Sequence, residues 1–225
     1  MKLMIQFPTR SRPEMFLESF KLYIDNLSCK NDVFFNISCD TDDKSMNNES
    51  IQSRIRSLYN NIYIEFNNNK NKIEAVNAGM ENKECDVILN ASDDMNPQIK
   101  GFDEDIRKGF EDNFPDYDGV LHFNDGYQGY NLNTLCILGK KYYNRFGYIY
   151  HPDYYSLYAD NEFMEVSRIL KKSVYIDKVI IRHEHATLKG NKNTGKIDQT
   201  YQRGFIHGHR DQVVFNHRKS INFEL

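Results

Sequence analysis

Short apolar runs alternate with stretches of helical periodicity through the first two-thirds of the chain, and this alternation restricts the fold more than any other feature. Lys2 to Phe7 is an apolar strand stopped by Pro8. Ser11-Arg12-Pro13-Glu14 reads as a capping box, with Ser11 the N-cap and Glu14 reaching back. Phe16, Phe20, Tyr23, Ile24 and Leu27 then share one helical face. Val33, Phe35, Ile37 and Cys39 alternate as a second strand, a helix runs from about Ser50 to Leu58, and Ile62 to Phe66 is a third strand. Ile73, Val76 and Met80 mark another helix. Val87-Ile88-Leu89 has the continuous apolar character of a parallel strand buried on both faces. Phe102, Ile106 and Phe110 mark the helix after it.

Strands and helices of these lengths build βαβ units, so the expected fold is α/β with a mostly parallel central sheet. Ligands bind such sheets at the carboxyl ends of the strands. Those ends here read Pro8-Thr9-Arg10, Asp40-Thr41-Asp42 and Ala91-Ser92-Asp93-Asp94. Later in the chain, Asp118 to Phe123, Thr134 to Leu138 and Tyr175 to Ile181 read as strands, and a helix opens near Asp160 with Phe163, Val166 and Leu170 as its stripe. There is no internal repeat. A single domain over residues 1–185, with a C-terminal extension over 186–225 packing on or near the site, is the economical description.

Length and charge narrow the function. A chain of 225 residues suffices for one large α/β domain. The net charge of −3 disfavours a general nucleic-acid binder. Residues 1–181 carry a net −7, whereas residues 182–225 carry +4 and five of the seven His. An acidic body with a basic tail suits a phosphate-bearing partner or peripheral contact with an anionic membrane surface; by charge alone the tail reads as a solvated face. Cys29, Cys39, Cys85 and Cys136 lack zinc-site or disulfide spacing and read as reduced thiols of a cytoplasmic protein. No apolar run reaches membrane-helix length, and the N-terminus runs straight into a strand pattern.

Four groups of residues can carry chemistry. Ser92-Asp93-Asp94 follows the central strand. Adjacent carboxylates repel unless a cation or hydrogen bonds compensate, and Mg²⁺ or Mn²⁺ bridging a diphosphate would do so; the same residues before Asn96-Pro97 are also good turn chemistry. His183 and His185, two apart after the last strand, would face one side of an extended chain and offer a nitrogen ligand, or form an exposed polar strand end. Asp160 and Glu162 open an amphipathic helix, where a carboxylate serves as general base or simply as cap. Arg10 and Arg12 lie beside a helix N-terminus, which suits a phosphate or base. Neither GxGxxG nor a Walker P-loop is present.

In this order and spacing, residues 2–185 resemble the GT-A glycosyltransferases, particularly the family 2 group. Pro8 to Pro13 resembles that family's "PTRNRP" loop, and Asp40 holds the place of its base-contacting Asp. Lys72-Ile73-Glu74-Ala75-Val76-Asn77-Ala78-Gly79 is similar to its K-x-x-A-x-N-x-G helix. Ser92-Asp93-Asp94 is similar to its DxD-type motif, which implies Asp93 near the ribose and Asp94 on the metal. Ala159-Asp160-Asn161-Glu162-Phe163 resembles its E-D-x-E/D-F pattern, with Ala159 replacing the Glu, and a late His by the metal is matched by His183 or His185.

The resemblance implies a single GT-A, Rossmann-like domain with a mixed sheet that transfers sugar from a nucleoside diphosphate-sugar, UDP-sugar first, to a glycan or other hydroxyl acceptor with inversion. Pro8, Thr9, Arg10, Arg12, Asp40, Lys72, Asn77, Ser92 and Asp93 would serve the nucleotide, Asp94 with His183 or His185 the Mn²⁺ or Mg²⁺, and Asp160 the proton transfer. The Tyr-rich stretch from Gly126 to Tyr158 would shape the acceptor side, and Leu188 to Thr200 would close as a lid. The alternatives are a catalytically inactive nucleotide- or glycan-binding domain and a sugar nucleotidyltransferase; the absence of Gly from Pro8–Pro13 counts against the latter.

Overall fold

A computed structural model describes residues 1–187 and 197–225. In chain order it contains β1 (Leu3–Pro8), α1 (Pro13–Asn26), β2 (Val33–Asp40), α2 (Glu49–Leu58), β3 (Ile62–Asn67), α3 (Lys72–Asn77), β4 (Val87–Asn90), β5 (Met95–Pro97) and α4 (Phe102–Asn113). There follow β6 (Val120–Phe123), β7 (Ile137–Gly139), α5 (Lys140–Tyr143), α6 (Ala159–Ile169), β8 (Ser173–Ile176), β9 (Ile181–His183), α7 (Gln199–Ile206) and α8 (Gly208–Ser220).

The main sheet has seven strands in the order β3-β2-β1-β4-β7-β6-β8. The pairs from β3 to β4 are parallel, β7 runs antiparallel to both neighbours, and β8 is again parallel to β6. The fold is thus α/β with a mixed, mostly parallel sheet. Leu3, Ile5 and Phe7 face one layer with Phe16, Phe20 and Ile106, whereas Met4 faces a second layer with Val76, Tyr154 and Phe163. That is the period-two consequence of a strand buried on both sides. Gln6, buried among these residues, donates to the carbonyls of Val76 and Ala78 (3.0 Å each) and accepts from Asn36 (2.6 Å), so the end of α3 is tied to the sheet. Gly79 follows with φ +70°, where a Cβ would meet the Glu65 carboxylate at 2.4 Å.

Several local expectations are corrected. Ser11 does not cap α1: it sits at φ 60°, its N–H donates to Asp43, and Glu14 pairs with Arg54 instead. The helix opens at Pro13, where a missing N–H costs no hydrogen bond. Helix α3 stops at Asn77 rather than continuing to Met80. The single late strand divides: β8 joins the main sheet, and β9 leaves it to pair antiparallel with β5 in a separate two-stranded sheet. Asp160 is not the cap of α6, because Tyr158 precedes that helix at φ 64°.

Beyond the polar stretch, α7 and α8 return to the body. The Asp211 carboxylate, fully buried, accepts the N–H groups of Tyr155, Ser156 and Leu157 (3.0, 2.8 and 2.9 Å). Arg218 pairs with Glu162 of α6 at 2.8 Å. Of the stretch read as a lid, residues 188–196 lie outside the described residues. Among the described residues no helix is long and apolar enough to cross a membrane.

Candidate active site

The chain turns sharply after β4. Met95 N–H donates to Ser92 O at 3.0 Å, so Ser92–Met95 is a turn, yet Asp93 and Asp94 are only 5% and 6% exposed. Two carboxylates in sequence at a buried turn call for compensation, and each finds a different kind. Burial pushes Asp93 up to about 7, opposed by Arg12 and reinforced by Asp94. Its Oδ1 and the neighbouring Thr9 hydroxyl are both buried and in no well-formed hydrogen bond among the described residues, though Thr9 lies close enough to the Asp93 carboxyl to oppose the rise. Burial acts on Asp94 in the same sense, but His183, Ser92 and Tyr201 outweigh it and hold that carboxyl well below the usual range.

The two-stranded sheet explains why His183 reaches this turn. Its register sets Met95 opposite His183, and Glu184 N–H donates to Asp94 O at 2.7 Å. The His183 Nε2 lies 3.6 Å from Asp94 Oδ2. On the other side of the ring, Nδ1 is 3.3 Å from the Thr134 hydroxyl and 3.8 Å from Asp125 Oδ2. Burial would lower the His183 pKa, but Asp125 and Asp94 outweigh it and lift it to about 9. His185 lies beside His183 with ring planes at 88°, stacked on Tyr127 (5.2 Å, 7°) and meeting the Tyr201 ring edge-on at 5.2 Å. Burial first, then His183, lowers its pKa.

The Pro8–Pro13 loop borders the other flank. Pro8 ends β1, and Thr9 N–H donates to Ser38 O at 3.0 Å. Arg10 pairs with Asp40 and forks onto Asp42 (2.6 and 2.8 Å), while Asn69 donates to Asp40 at 2.8 Å. Arg12 lies 4.0 Å from Asp93, forks onto Asp198 (2.7 Å twice) and sits 4.8 Å over the Tyr201 ring. Lys72 is exposed at the start of α3 and interacts electrostatically with Asp160 and His185. The Asp160 carboxyl is raised above its ordinary value by burial, with Lys72 opposing. Asn77 is a structural tie: it accepts from Ile149 and Tyr150 N–H (2.9 and 3.2 Å) and donates to Tyr150 O (2.7 Å), joining α3 to the Tyr-rich loop.

Thr9, Arg12, Asp93, Asp94 and His183 therefore meet at the carboxyl edge of the sheet, with Arg10–Asp40 on one side and Lys72–Asp160 linked to the other. Four residues of this neighbourhood escaped the sequence reading: Asp125, Thr134, Asp198 and Tyr201. Asp125-Gly126 reads locally as a turn, and Tyr201 lies 107 residues from its partner Asp94.

No family model and no curated protein sequence matches the chain. Solved structures do. TarS of S. aureus, 13% identical, superposes with a TM-score of 0.63 over 83% of this chain and 37% of its own, and a form spanning its residues 1–349 was solved with UDP. The mannosyltransferase PcManGT of Pyrobaculum calidifontis, solved with GDP-Man and Mn²⁺, is 12% identical with a TM-score of 0.62 over 93% of this chain and 64% of its own. A protein of Desulfovibrio desulfuricans G20 described as a nucleotide-diphospho-sugar transferase is 13% identical, with a TM-score of 0.51 over 93% and 96%.

The chain has a GT-A-like fold. It spans about a third of TarS and less than two-thirds of PcManGT. At the carboxyl edge of this GT-A-like sheet, Asp94 and His183 supply one oxygen and one nitrogen donor. Among the described residues, no group of three His, Cys, Asp or Glu is arranged to hold a metal. A two-donor set still fits Mn²⁺ or Mg²⁺, which commonly take one or two protein ligands and complete their shell with phosphate oxygens and water.

Proposed function

We propose that the protein is a metal-dependent glycosyltransferase using a nucleoside diphosphate-sugar, with UDP-sugar the first donor to test. The observation that supports this most is the Asp93–Asp94 step, buried at the carboxyl edge of the sheet between Arg12 and His183. The buried Asp93 Oδ1 and Thr9 hydroxyl, close together and in no well-formed hydrogen bond, suit the hydroxyls of a ribose, which donate as well as accept. Arg10 and Asp40 would border the base, and Arg12 would present its guanidinium fork to the diphosphate. Asp94 and His183 would hold the ion, which when bound neutralises charge on the departing diphosphate. Asp160 would take the proton of the acceptor hydroxyl, and its raised pKa moves it toward the range useful for a base at neutral pH. One displacement at the anomeric carbon inverts its configuration.

Calorimetric titration with UDP, GDP, CDP and dTDP, with and without Mn²⁺, tests this reading. Metal-dependent binding of one nucleotide, lost at least tenfold in Asp94→Ala, is the expected result. No binding of any nucleotide under any metal condition would remove the donor site, and binding without turnover of the corresponding sugars would leave a recognition domain.

A further inference from the structure

We propose that Thr134 and Asp125 are positioning residues for the metal site: together they fix the His183 ring with a proton on Nδ1 and leave Nε2 as the ligand nitrogen facing Asp94. This rests on the metal-dependent reading above and adds two residues that no resemblance assigns.

The inference follows from counting protons. Asp125, 1% exposed, lies just beyond β6. Its Oδ1 accepts the N–H groups of Tyr127, Gln128 and Gly129 at 2.9, 2.7 and 3.0 Å. A carboxylate receiving several backbone N–H groups is stabilised in its ionised form and can only accept. The Thr134 hydroxyl donates to the other oxygen, Oδ2. A hydroxyl has one proton, so Thr134 has only lone pairs left for His183 Nδ1, 3.3 Å away. Nδ1 must therefore carry hydrogen. The distance from Nδ1 to Asp125 Oδ2, 3.8 Å, is too long for a direct hydrogen bond, so Thr134 is the intermediary and Asp125 acts through it.

Three further contacts hold the ring in this pose. His183 N–H donates to Asp125 O at 2.8 Å, anchoring the backbone to the same loop. The Tyr127 ring meets the imidazole edge-on at 5.5 Å. The Asp94 carboxylate faces Nε2 at 3.6 Å. An imidazole that ligates through one nitrogen keeps its proton on the other, and an acceptor at that second nitrogen fixes orientation and basicity. Thr134 is that acceptor here, and Asp125 is what turns its proton away.

The test is Mn²⁺ affinity, read by electron paramagnetic resonance on the full chain. Thr134→Val, of similar shape, is expected to weaken Mn²⁺ binding about 10- to 100-fold, Thr134→Ser to restore it to within about threefold, and metal-free affinity for the parent nucleoside, which carries no diphosphate, to stay unchanged in both. Wild-type affinity in Thr134→Val, or failure of Thr134→Ser to restore binding, overturns the proposal while leaving the donor site standing. Equal Mn²⁺ binding by wild type and Asp94→Ala overturns the metal reading, and this inference with it. A second measurement does not depend on the folding of any variant: ¹⁵N NMR of wild-type His183 saturated with Mg²⁺ should show the proton on Nδ1, and a proton on Nε2 alone sinks the idea.

Discussion

The Tyr201 hydroxyl donates to Asp94 Oδ2 across 2.6 Å, so a residue of α7 takes a lone pair on the carboxylate proposed to meet the metal. An ion arriving there displaces that bond or shares the oxygen with it. Hydrogen bonds to charged groups contribute about 1.5–3 kcal/mol. Tyr201→Phe is therefore expected to bind Mn²⁺ about tenfold more tightly than wild type. Calorimetry checks this, and weaker binding in Tyr201→Phe would instead make the phenol part of the occupied site.

Arg12 offers a second handle. Its guanidinium is forked onto Asp198 while standing 4.0 Å from Asp93. A planar fork recognises a carboxylate or a diphosphate in the same way, and Lys lacks that geometry. Arg12→Lys is expected to lose about tenfold in nucleoside diphosphate affinity while binding the parent nucleoside unchanged. Parallel titrations with UDP and uridine separate the two; an equal loss for both would place Arg12 on the base.

Asp160 gives the pH dependence. Burial raises its pKa, and only the ionised carboxylate can accept the acceptor's proton. Turnover should therefore fall as pH drops through a pKa higher than the ~3.9 of a free Asp side chain. Asp160→Asn should lower kcat by about 10²- to 10⁴-fold with little change in donor KM. A pH–rate profile with its acid limb at or below the ordinary Asp value would remove Asp160 as the base.

How far the sequence reveals this site depends on how local each contact is. β1 and β4 are legible because strands buried on both faces read as apolar runs, β2 because Val33, Phe35, Ile37 and Cys39 alternate, and their polar ends locate Thr9, Asp40 and Asp93-Asp94. The pairing of β5 with β9 is not, since three residues including Pro97 carry no periodicity, and it is this pairing that sets His183 beside Asp94. Asp125 was hidden for another reason: Asp-Gly is common turn chemistry, and only three-dimensional proximity joins it to Thr134 and His183. The split between β8 and β9 is only half legible: Asp177 and Lys178 interrupt the apolar stretch, but a polar break does not show which sheet each half enters.

The C-terminal helix α8 makes a prediction about stability. Arg218 and Glu162 are 4% and 5% exposed, and Glu162 also accepts from the Tyr154 hydroxyl at 2.7 Å. The pair joins α8 to α6 two residues beyond Asp160. Removing one member of a buried ion pair leaves a charge in the interior, at a cost of about 3–5 kcal/mol, whereas replacing both by apolar groups of similar size is often neutral. Arg218→Met alone is therefore expected to lower Tm by about 10 °C, taking about 2–4 °C per kcal/mol for a chain of this size. Adding Glu162→Leu should recover much of that loss, reduced by the Tyr154 hydroxyl left without its acceptor. Thermal unfolding of the two single variants and the double variant measures the coupling directly. If the single losses simply add in the double variant, the pair does not hold α8 to α6, and the Asp211 contacts with residues 155–157 would have to hold the extension instead.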